Sequence, residues 1–366
     1  MSNQTSQAKH QDQVWMQRAI ALAKLGQYST RPNPNVGCVI VKNGKIIGEG
    51  FHPRAGQPHA EVFAMREAGE DARGATAYVT LEPCAHFGRT PPCAKSLVEA
   101  GVAKVIVACP DPNPLVAGKG IQILRDAGVE VQVGVCEAEA HQLNLGFLKA
   151  MAIGLPYVRV KLASSLDGRT AMASGESKWI TGSEARQDVQ HWRAISGAVI
   201  TGIETVLADD CQLNVRQLDG VDISTVVQPK RIVLDRKGRI PLSASILNTP
   251  ETVMVMGPYR QELEDLGVTQ LPIQSLKDLL QSLSRDHQIY DVMVEAGATL
   301  STAFLVENLI DEIISYVAPI FIGQTARPMF NAEFRLMAEQ LRFKLAEVAQ
   351  VGNDVRLKLI PFQETV

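Results

Sequence analysis

The sequence predicts an α/β protein built from two domains. Within residues 37–135, runs rich in Val and Ile alternate with helix-like stretches, and this alternation is typical of a sheet with parallel pairs covered by helices. A second pattern of the same kind begins at Tyr157. Because 366 residues are enough for two ordinary domains with separate cores, we predict one domain at 12–150 and another at 151–366.

The first half opens with a predicted helix and a β-hairpin. Residues 12–26 have the pattern of an amphipathic helix ending at Gly26. The polar residues before it are interpreted as a frayed tail, although the helix could extend back into them. Asn43-Gly44 lies between two strand-like runs and supplies the positive φ angles of a tight hairpin turn. The following elements are a helix from His59, a strand at 75–81, a helix from Pro92, a strand at 103–109, a helix at 118–127, a strand at 129–135 and a helix at 137–150.

The second half begins with a strand from Tyr157 that meets an Asp167-Gly168 turn. A helix follows at 183–194, with Ser183 as its predicted N-cap. Residues 342–360 have alternating faces, which predicts a final antiparallel hairpin. Between them lie the strand-like runs GAVIT, RIVLD, TVMVM, YDVMVEAG and DEIISYVAPIFIG.

Composition argues against several classes of protein. The chain has 36 basic and 39 acidic residues, a formal net charge of −3, whereas a general nucleic-acid binder has a basic surplus. No apolar run has the length of a bilayer span, and the opening MSNQTSQAKHQ lacks the apolar core of a signal peptide. Six cysteines without a dense framework favour reduced thiols in the cytoplasm. We interpret four of them as small core residues: Cys38, Cys109, Cys136 and Cys211.

Three remaining residues have the chemistry of a zinc site. His59, Cys84 and Cys93 each fall where a predicted strand ends or a helix begins, and there the helix dipole favours thiolates. Two thiolates and an imidazole leave a fourth tetrahedral position for water, as in catalytic zinc sites, and zinc lowers the pKa of that water towards neutrality. Glu61 would carry protons. In the alternative interpretation, His59 caps a helix, Glu61 is solvated and the cysteines are core thiols.

The spacing His-x-Glu…Pro-Cys…Cys is that of zinc-dependent nucleobase deaminases. Those enzymes usually have two residues between the cysteines, whereas here AHFGRTPP intervenes. With this insertion, HAEVFA, RPNPNVGCVIV and DPNP, the chain resembles the bacterial bifunctional riboflavin-biosynthesis deaminase/reductase family from about residue 12 to the end. The resemblance implies a cytidine-deaminase-like first domain. Its implied substrate is a 2,5-diamino-6-ribosylaminopyrimidinone 5′-phosphate, which loses its ring 2-amino group as ammonia.

The phosphorylated substrate requires anchors near the metal. Arg89, inside the inserted loop, is placed to bind the phosphate, and His86 is a second candidate for substrate binding. His86 is also a competing zinc ligand, although the resemblance and the adjacent Glu61 favour His59. The resemblance adds Asn33 and Asn113 as substrate contacts, whereas local sequence predicts turn formation for them nearly as well.

The second half lacks the Gly-x-Gly-x-x-Gly fingerprint after a strand. VMVEAGATLSTAFL nevertheless reads as a strand, a glycine and a helix start, a junction that can bind phosphate. KLASSLDGRTA, WIT, TGIETVLADDCQLNVR and VEAGATL resemble the reductase domain of the same family, which implies a dihydrofolate-reductase-like fold and NADPH as cofactor. By motif, the implied cofactor positions are Ala163, Trp179, Thr205, Asp209, Gly297, Ala298, Thr299, Leu300, Ser301, Thr302 and Ala303. The implied substrate positions are Ser177, Arg193, Leu213, Arg216 and Glu295.

Side-chain chemistry suggests roles for several of these positions. Arg193 and Arg216 can clamp a phosphate, Lys161 can stabilise or position the sugar, and Asp209 and Glu295 can handle protons. In isolation, Trp179 also fits a core residue, Arg193 a solvated helix residue and Lys161 an ordinary strand residue. Two positions depart from the family pattern, because Ala296 stands where Gly is common and Ile320 where Lys is frequent.

The leading hypothesis is zinc-dependent deamination followed by NADPH-dependent reduction of the ribosyl group. Its partners would be a phosphorylated pyrimidine and, by family analogy, further copies of the chain in a homodimer or higher homo-oligomer, without nucleic acid or membrane. Three alternatives stay open: a non-catalytic or differently specific second half, a deaminase acting on nucleic acid, and a zinc-stabilised structural protein.

Overall fold

The computed structural model describes residues 2–85, 92–114 and 116–362, with side chains from Lys9 onward. The chain divides into two compact units, Met1–Gly154 and Leu155–Val366; the sequence pattern placed this boundary at 150/151. No helix in the described ranges is long and apolar enough to cross a bilayer.

The N-terminal unit is a three-layer α/β/α structure. Its described strands form one sheet in the order β2-β1-β3-β4-β5, in which β1 is antiparallel to β2 and β3 while β3, β4 and β5 run parallel. The elements are α1 (Ser2–Ala23), β1 (Gly37–Lys42), β2 (Lys45–Phe51), α2 (Ala60–Ala68), β3 (Thr76–Leu81), α3 (Cys93–Glu99), β4 (Lys104–Cys109), α4 (Lys119–Asp126), β5 (Glu130–Val133), α5 (Glu137–Gln142) and α6 (Leu145–Ile153).

Alternate residues of β1 pack into two separate hydrophobic cores, one on each face of the sheet. Cys38 and Ile40 pack with α2, α3 and α4 on one face of the sheet, whereas Val39 and Val41 pack with α1, α5 and α6 on the other. The period of two along a strand produces this division. The hairpin turn is confirmed, because both of its central residues, Asn43 and Gly44, have positive φ angles of 52° and 72°.

The C-terminal unit contains a larger sheet, in the order β11-β10-β9-β8-β12-β6-β13-β16-β15 over the described residues. Neighbours from β11 to β13 run parallel, and β16 and β15 add an antiparallel edge. Its strands are β6 (Tyr157–Ser165), β7 (Arg169–Ala171), β8 (Ala198–Gly202), β9 (Lys230–Leu234), β10 (Val253–Met256), β11 (Thr269–Leu271), β12 (Asp291–Glu295), β13 (Glu312–Ala318), β14 (Arg327–Pro328), β15 (Phe343–Val351) and β16 (Asp354–Pro361). Its helices are α7 (Ser183–Ile195), α8 (Ile203–Asp209), α9 (Gln261–Asp265), α10 (Leu276–Arg285) and α11 (Ala298–Val306). Strands β7 and β14 form a separate pair.

Three local predictions were wrong. The first helix begins at Ser2 rather than near residue 12, and the helix expected at 137–150 is two helices, α5 and α6. Ser183 does not cap α7: the N-cap is Gly182, whose N–H donates to Asp354 Oδ2 at 2.7 Å, while the Ser183 hydroxyl bonds the Glu184 carboxylate. The N-cap residue is therefore bound by the first residue of β16, a strand that local sequence could not connect to this helix.

All six cysteines are free thiols. Cys38 and Cys109 are buried in the two cores of the N-terminal unit, in agreement with their interpretation as core residues. Cys136 and Cys211 are only partly buried and pack at the edges of clusters.

Strand β2 packs closely against α2 through two glycines. A Cβ atom at Gly48 would lie 2.1 Å from the carbonyl oxygen of Ala64, and one at Gly50 would lie 2.2 Å from that of Ala60. These distances leave no room for a methyl group. The glycines therefore set how near the helix that carries Glu61 lies to the sheet.

We expect Gly48→Ala to lower the free energy of unfolding of the N-terminal unit by about 1–3 kcal/mol, because overpacking forces the backbone of α2 to shift. Differential scanning calorimetry measures the effect. Lys45→Ala, at the exposed start of the same strand, is the control and should change stability by less than about 0.5 kcal/mol. Equal stability of the two variants would contradict the close contact.

Candidate active sites

The structure brings the three predicted zinc ligands together. His59 immediately precedes α2, Cys84 follows β3, and Cys93 is the first residue of α3. Their ligand atoms all lie within 4.8 Å of one another, and Nδ1 of His59 is 3.6 Å from Sγ of Cys84 and 3.4 Å from Sγ of Cys93. Tetrahedral zinc with ordinary bond lengths separates N and S ligands by roughly 3.5 Å, so the donor set fits a zinc ion.

Proton sharing among these groups favours a thiolate. Hydrogen bonding from Cys93 and then from His59 lowers the pKa of Cys84 to about 4, while the hydrogen bond to Cys84 raises the pKa of Cys93. The Cys84 contact also raises the pKa of His59 to about 8. These shifts favour a thiolate at Cys84, one of the ligand types that zinc binds.

Glu61 lies in the first turn of α2, beside this cluster. It is only 3 % exposed, and burial raises its pKa although the positive charge of His59 opposes the shift. Its Oε2 atom is buried and has no hydrogen-bond partner among the described residues. The carboxylate is therefore not engaged in holding the fold at that atom, as a proton carrier requires.

Asn33 lies beside a histidine that sequence reasoning missed. Its Nδ2 is 3.0 Å from Nε2 of His52, whose Nδ1 is 3.0 Å from the carbonyl oxygen of Pro58. The carbonyl can only accept, so Nδ1 carries the proton and Nε2 accepts from Asn33. The His52 ring also stands edge-on to His59, with centroids 5.3 Å apart. A single His after a strand gave no signal of this role.

Of the other predicted residues of this unit, the structure describes Asn113 but not His86 or Arg89. Asn113 lies in the segment between β4 and α4, where its N–H donates to Oδ1 of Asp111 at 2.8 Å. His86 and Arg89 lie outside the described residues, so both remain predictions.

The C-terminal unit contains a cavity of about 1620 Å³ beside its sheet. This volume exceeds the roughly 300–1,000 Å³ of a usual small-molecule site, which fits two ligands better than one. The predicted residues among its lining are Lys161, Ala163, Ser177, Trp179, Arg193, Thr205, Asp209, Leu213, Arg216, Glu295, Gly297, Ala298, Thr299, Leu300 and Ala303.

Two predicted cofactor positions are not part of that lining. Ser301 is fully buried and its hydroxyl donates to the carbonyl oxygen of Ala296. Thr302 accepts the N–H of Asn331 on its hydroxyl. Helical geometry explains both, because only part of the first turns of α11 can face the cavity.

A buried ion pair occupies one wall of the cavity. Arg193 donates to Glu295 from Nε at 2.5 Å and from Nη2 at 2.9 Å, and its Nη1 donates to the carbonyl of Asn214. Burial alone would raise the pKa of Glu295, but the charge of Arg193 makes the net shift downward. Glu295 thus holds Arg193 through two hydrogen bonds, and three of the five N–H groups of this guanidinium have partners. The proton-handling role of Glu295 stays a prediction.

Lys161 approaches this pair from β6. Burial lowers its pKa and Arg193 adds to that effect, while the charge of Glu295 opposes it. Asp209 is half-buried at the end of α8, and its Oδ1 lies 3.5 Å from Oγ of Ser177. Trp179 is not a core residue: it is 69 % exposed, and the Arg186 guanidinium lies 4.3 Å from its ring centroid.

Further cations in the cavity were missed by sequence reasoning. They come from four separate segments, and no motif connects them. These residues are Lys178, Arg186, Arg236, Lys237, Arg239 and Arg327.

Comparison with known families assigns both units. Residues 9–109 match the cytidine and deoxycytidylate deaminase zinc-binding region, and residues 156–357 match the RibD C-terminal domain. The predicted fold class is thereby confirmed, with a cytidine-deaminase-like domain followed by a dihydrofolate-reductase-like domain.

Relatives match along nearly the whole chain. Riboflavin biosynthesis protein RibD of Haemophilus influenzae is 49 % identical over 363 residues, which covers 96 % of this chain and 98 % of that protein. RibD of Escherichia coli is 48 % identical, with coverage of 96 % and 99 %.

Solved structures agree with these relatives. Acinetobacter baumannii RibD, form 1, has 74 % identity and a TM-score of 0.96, covering 97 % of this chain and all of that one. The diaminohydroxyphosphoribosylaminopyrimidine deaminase/5-amino-6-(5-phosphoribosylamino)uracil reductase of Thermotoga maritima has 35 % identity and a TM-score of 0.87 with the same coverage. The chain therefore belongs to the RibD family of bifunctional riboflavin-biosynthesis enzymes, with a zinc-binding deaminase domain and an NADPH-dependent reductase domain.

Proposed function

We propose that the N-terminal unit converts 2,5-diamino-6-ribosylamino-4(3H)-pyrimidinone 5′-phosphate and water into the corresponding 2-oxo compound and ammonia. We further propose that the C-terminal unit reduces the ribosyl group of that product to give 5-amino-6-ribitylaminouracil 5′-phosphate. One observation carries the first step: two thiols and an imidazole converge within 4.8 Å beside a buried carboxylate.

In the deamination, His59, Cys84 and Cys93 would hold zinc, which lowers the pKa of a water molecule towards neutrality. Glu61 acts as the general base and acid, since its unpartnered Oε2 can take a proton from water and return it to the ring nitrogen and the departing amine. Asn33, oriented by His52, and Asn113 bind the pyrimidine. Arg89 remains our proposed phosphate anchor and His86 a proposed substrate contact.

In the reduction, NADPH supplies the hydride. The start of α11, with Gly297 as N-cap, would bind its phosphates through backbone N–H groups. Lys161 stabilises the sugar oxygen, and Asp209 carries a proton. Because Arg193 is held by Glu295 and Asn214, we assign the substrate phosphate to Arg216, which is exposed and lines the cavity.

We also propose that the protein forms a homodimer through strand β15. This strand ends the sheet, pairing only with β16 among the described strands, and it exposes Leu345 and Val348 by 53 % and 57 %. Natural proteins rarely leave an apolar sheet edge uncovered. The free thiols fit a reducing compartment, so we propose a cytoplasmic location.

Zinc content should distinguish variants of the metal ligands from a variant of Glu61. We expect His59→Ala, Cys84→Ala and Cys93→Ala to lose zinc, measured by elemental analysis, together with ammonia release. Glu61→Gln should keep zinc but lower kcat for deamination by about 10²–10⁴-fold, because the proton carrier is gone. Glu67→Gln, on the exposed side of the same helix, is the control. Full zinc retention in all three ligand variants would refute the metal site.

Arg216 should affect only the second reaction. We expect Arg216→Ala to raise KM for the deaminated substrate by about ten- to a hundredfold, the effect of losing hydrogen bonds to a charged group. NADPH oxidation and ammonia release, followed separately, measure this, and ammonia release should not change. Arg285→Ala is the matched control, since Arg285 is exposed and paired with Asp286 away from the cavity. An unchanged KM would exclude Arg216 as the phosphate anchor.

A charged substitution on the edge strand β15 tests the proposed dimer interface. We expect Val348→Lys to convert the dimer into a monomer, because a lysine in the interface would be buried without a partner. Light scattering after size-exclusion chromatography gives the molar mass. Val306→Lys introduces the same change at a position of 54 % exposure on α11 and should leave the mass unaltered. A dimeric Val348→Lys variant would show that another surface mediates assembly.

A further inference from the structure

Glu82 is a buried carboxylate whose two oxygens accept four backbone N–H groups. The residue directly follows β3 and is 4 % exposed. Its Oε2 accepts from Asp111 at 3.4 Å and Gly118 at 3.1 Å, and its Oε1 accepts from Gly120 at 3.0 Å and Ile121 at 3.2 Å. So many donors compensate the cost of burying the charge.

The donors come from two parts of the segment that follows β4. Three of them, at Gly118, Gly120 and Ile121, belong to the N-cap and first turn of α4, where N–H groups lack partners within the helix and the dipole favours an anion. Gly118 has a φ of 82° and offers no side-chain cap. Glu82, at the end of β3, therefore caps the N-terminus of α4.

The fourth donor connects Glu82 to the proposed substrate residue Asn113. The N–H of Asp111 binds Glu82, and Oδ1 of Asp111 in turn accepts the N–H of Asn113 at 2.8 Å. Asp111 is 7 % exposed, so this link lies inside the unit. A continuous path of hydrogen bonds thus runs from the end of β3 to Asn113.

The same end of β3 carries a zinc ligand, because Cys84 is two residues beyond Glu82. Contact between the two segments is tight: a Cβ at Gly120 would lie 1.9 Å from the carbonyl oxygen of Pro83. The backbone that leads to the metal ligand therefore packs directly on the first turn of α4.

We infer that Glu82 is a positioning residue of the deaminase, fixing Asn113 relative to the metal-binding segment so that the pyrimidine binds in register with Glu61. The inference rests on the proposed function, in which Asn113 contacts the substrate. It assigns to Glu82 an effect on substrate binding that a residue serving stability alone would not have.

Glu82→Gln in the full-length protein tests this assignment. The side chain keeps its size but loses its charge and turns an NH₂ donor towards N–H groups. We expect KM for ammonia release from the diaminopyrimidine substrate to rise about ten- to a hundredfold, with kcat, zinc content and reductase activity little changed. Gln122→Ala, which removes an exposed contact to Asp126 within α4, is the matched control for general weakening of that helix.

A double-mutant cycle tests whether Glu82 affects substrate binding through Asn113. If Glu82 acts through Asn113, then Glu82→Gln adds little to the KM of Asn113→Ala, because the two effects are not independent. Multiplied effects, an unchanged KM, or loss of zinc in Glu82→Gln would each overturn the inference. Should Glu82→Gln fail to fold, Asp111→Ala breaks the same path beyond Glu82: a comparable rise in KM supports the inference, and an unchanged KM overturns it. A wild-type enzyme that releases no ammonia would instead refute the proposed function.

Discussion

The need to pair every buried charge shapes both active sites. Glu82 and Glu295 each stand at the carboxyl end of a strand that runs parallel to a neighbour, and each is buried. One is neutralised by backbone N–H groups and the other by Arg193. Because an unpaired charge there would cost several kcal/mol, these partners are held in one geometry. Glu61 differs from both, because its buried Oε2 has no hydrogen-bond partner among the described residues, and it is the residue to which we assign the proton transfers.

In both units, the proposed functional residues lie near the carboxyl ends of parallel strands. Side chains and loops at the carboxyl ends of parallel strands share one edge of a sheet, where helix starts supply N–H groups. In the N-terminal unit this edge holds Cys84 and the start of α3, and in the C-terminal unit it holds Glu295 and the start of α11.

Sequence predicted the residues that act through their own chemistry and missed those that act through distant partners. His59, Cys84 and Cys93 were identifiable despite the insertion, because each ligand is fixed by a helix start or strand end rather than by loop length. The structure shows how: the N–H of Cys93 donates to Cys84 Sγ at 3.3 Å. Glu82, by contrast, meets donors 29 to 39 positions away, and no local pattern reports such contacts. The pairing of Glu295 with Arg193, 102 positions apart, was hidden for the same reason.

Ala296 and Ile320, the two departures from the family pattern, lie where their side chains do not obstruct the proposed cofactor site. The part-buried Ala296 lines the cavity but also packs against the apolar core, and its carbonyl accepts the Ser301 hydroxyl. The next position, Gly297, where we place the phosphates, has open space around it, because even an added Cβ would meet no atom within 4 Å. Ile320 is 38 % exposed and is not among the residues that line the cavity. Neither side chain therefore obstructs the helix start at which we place the cofactor's phosphates, so the chain retains the open backbone surface that the reductase requires.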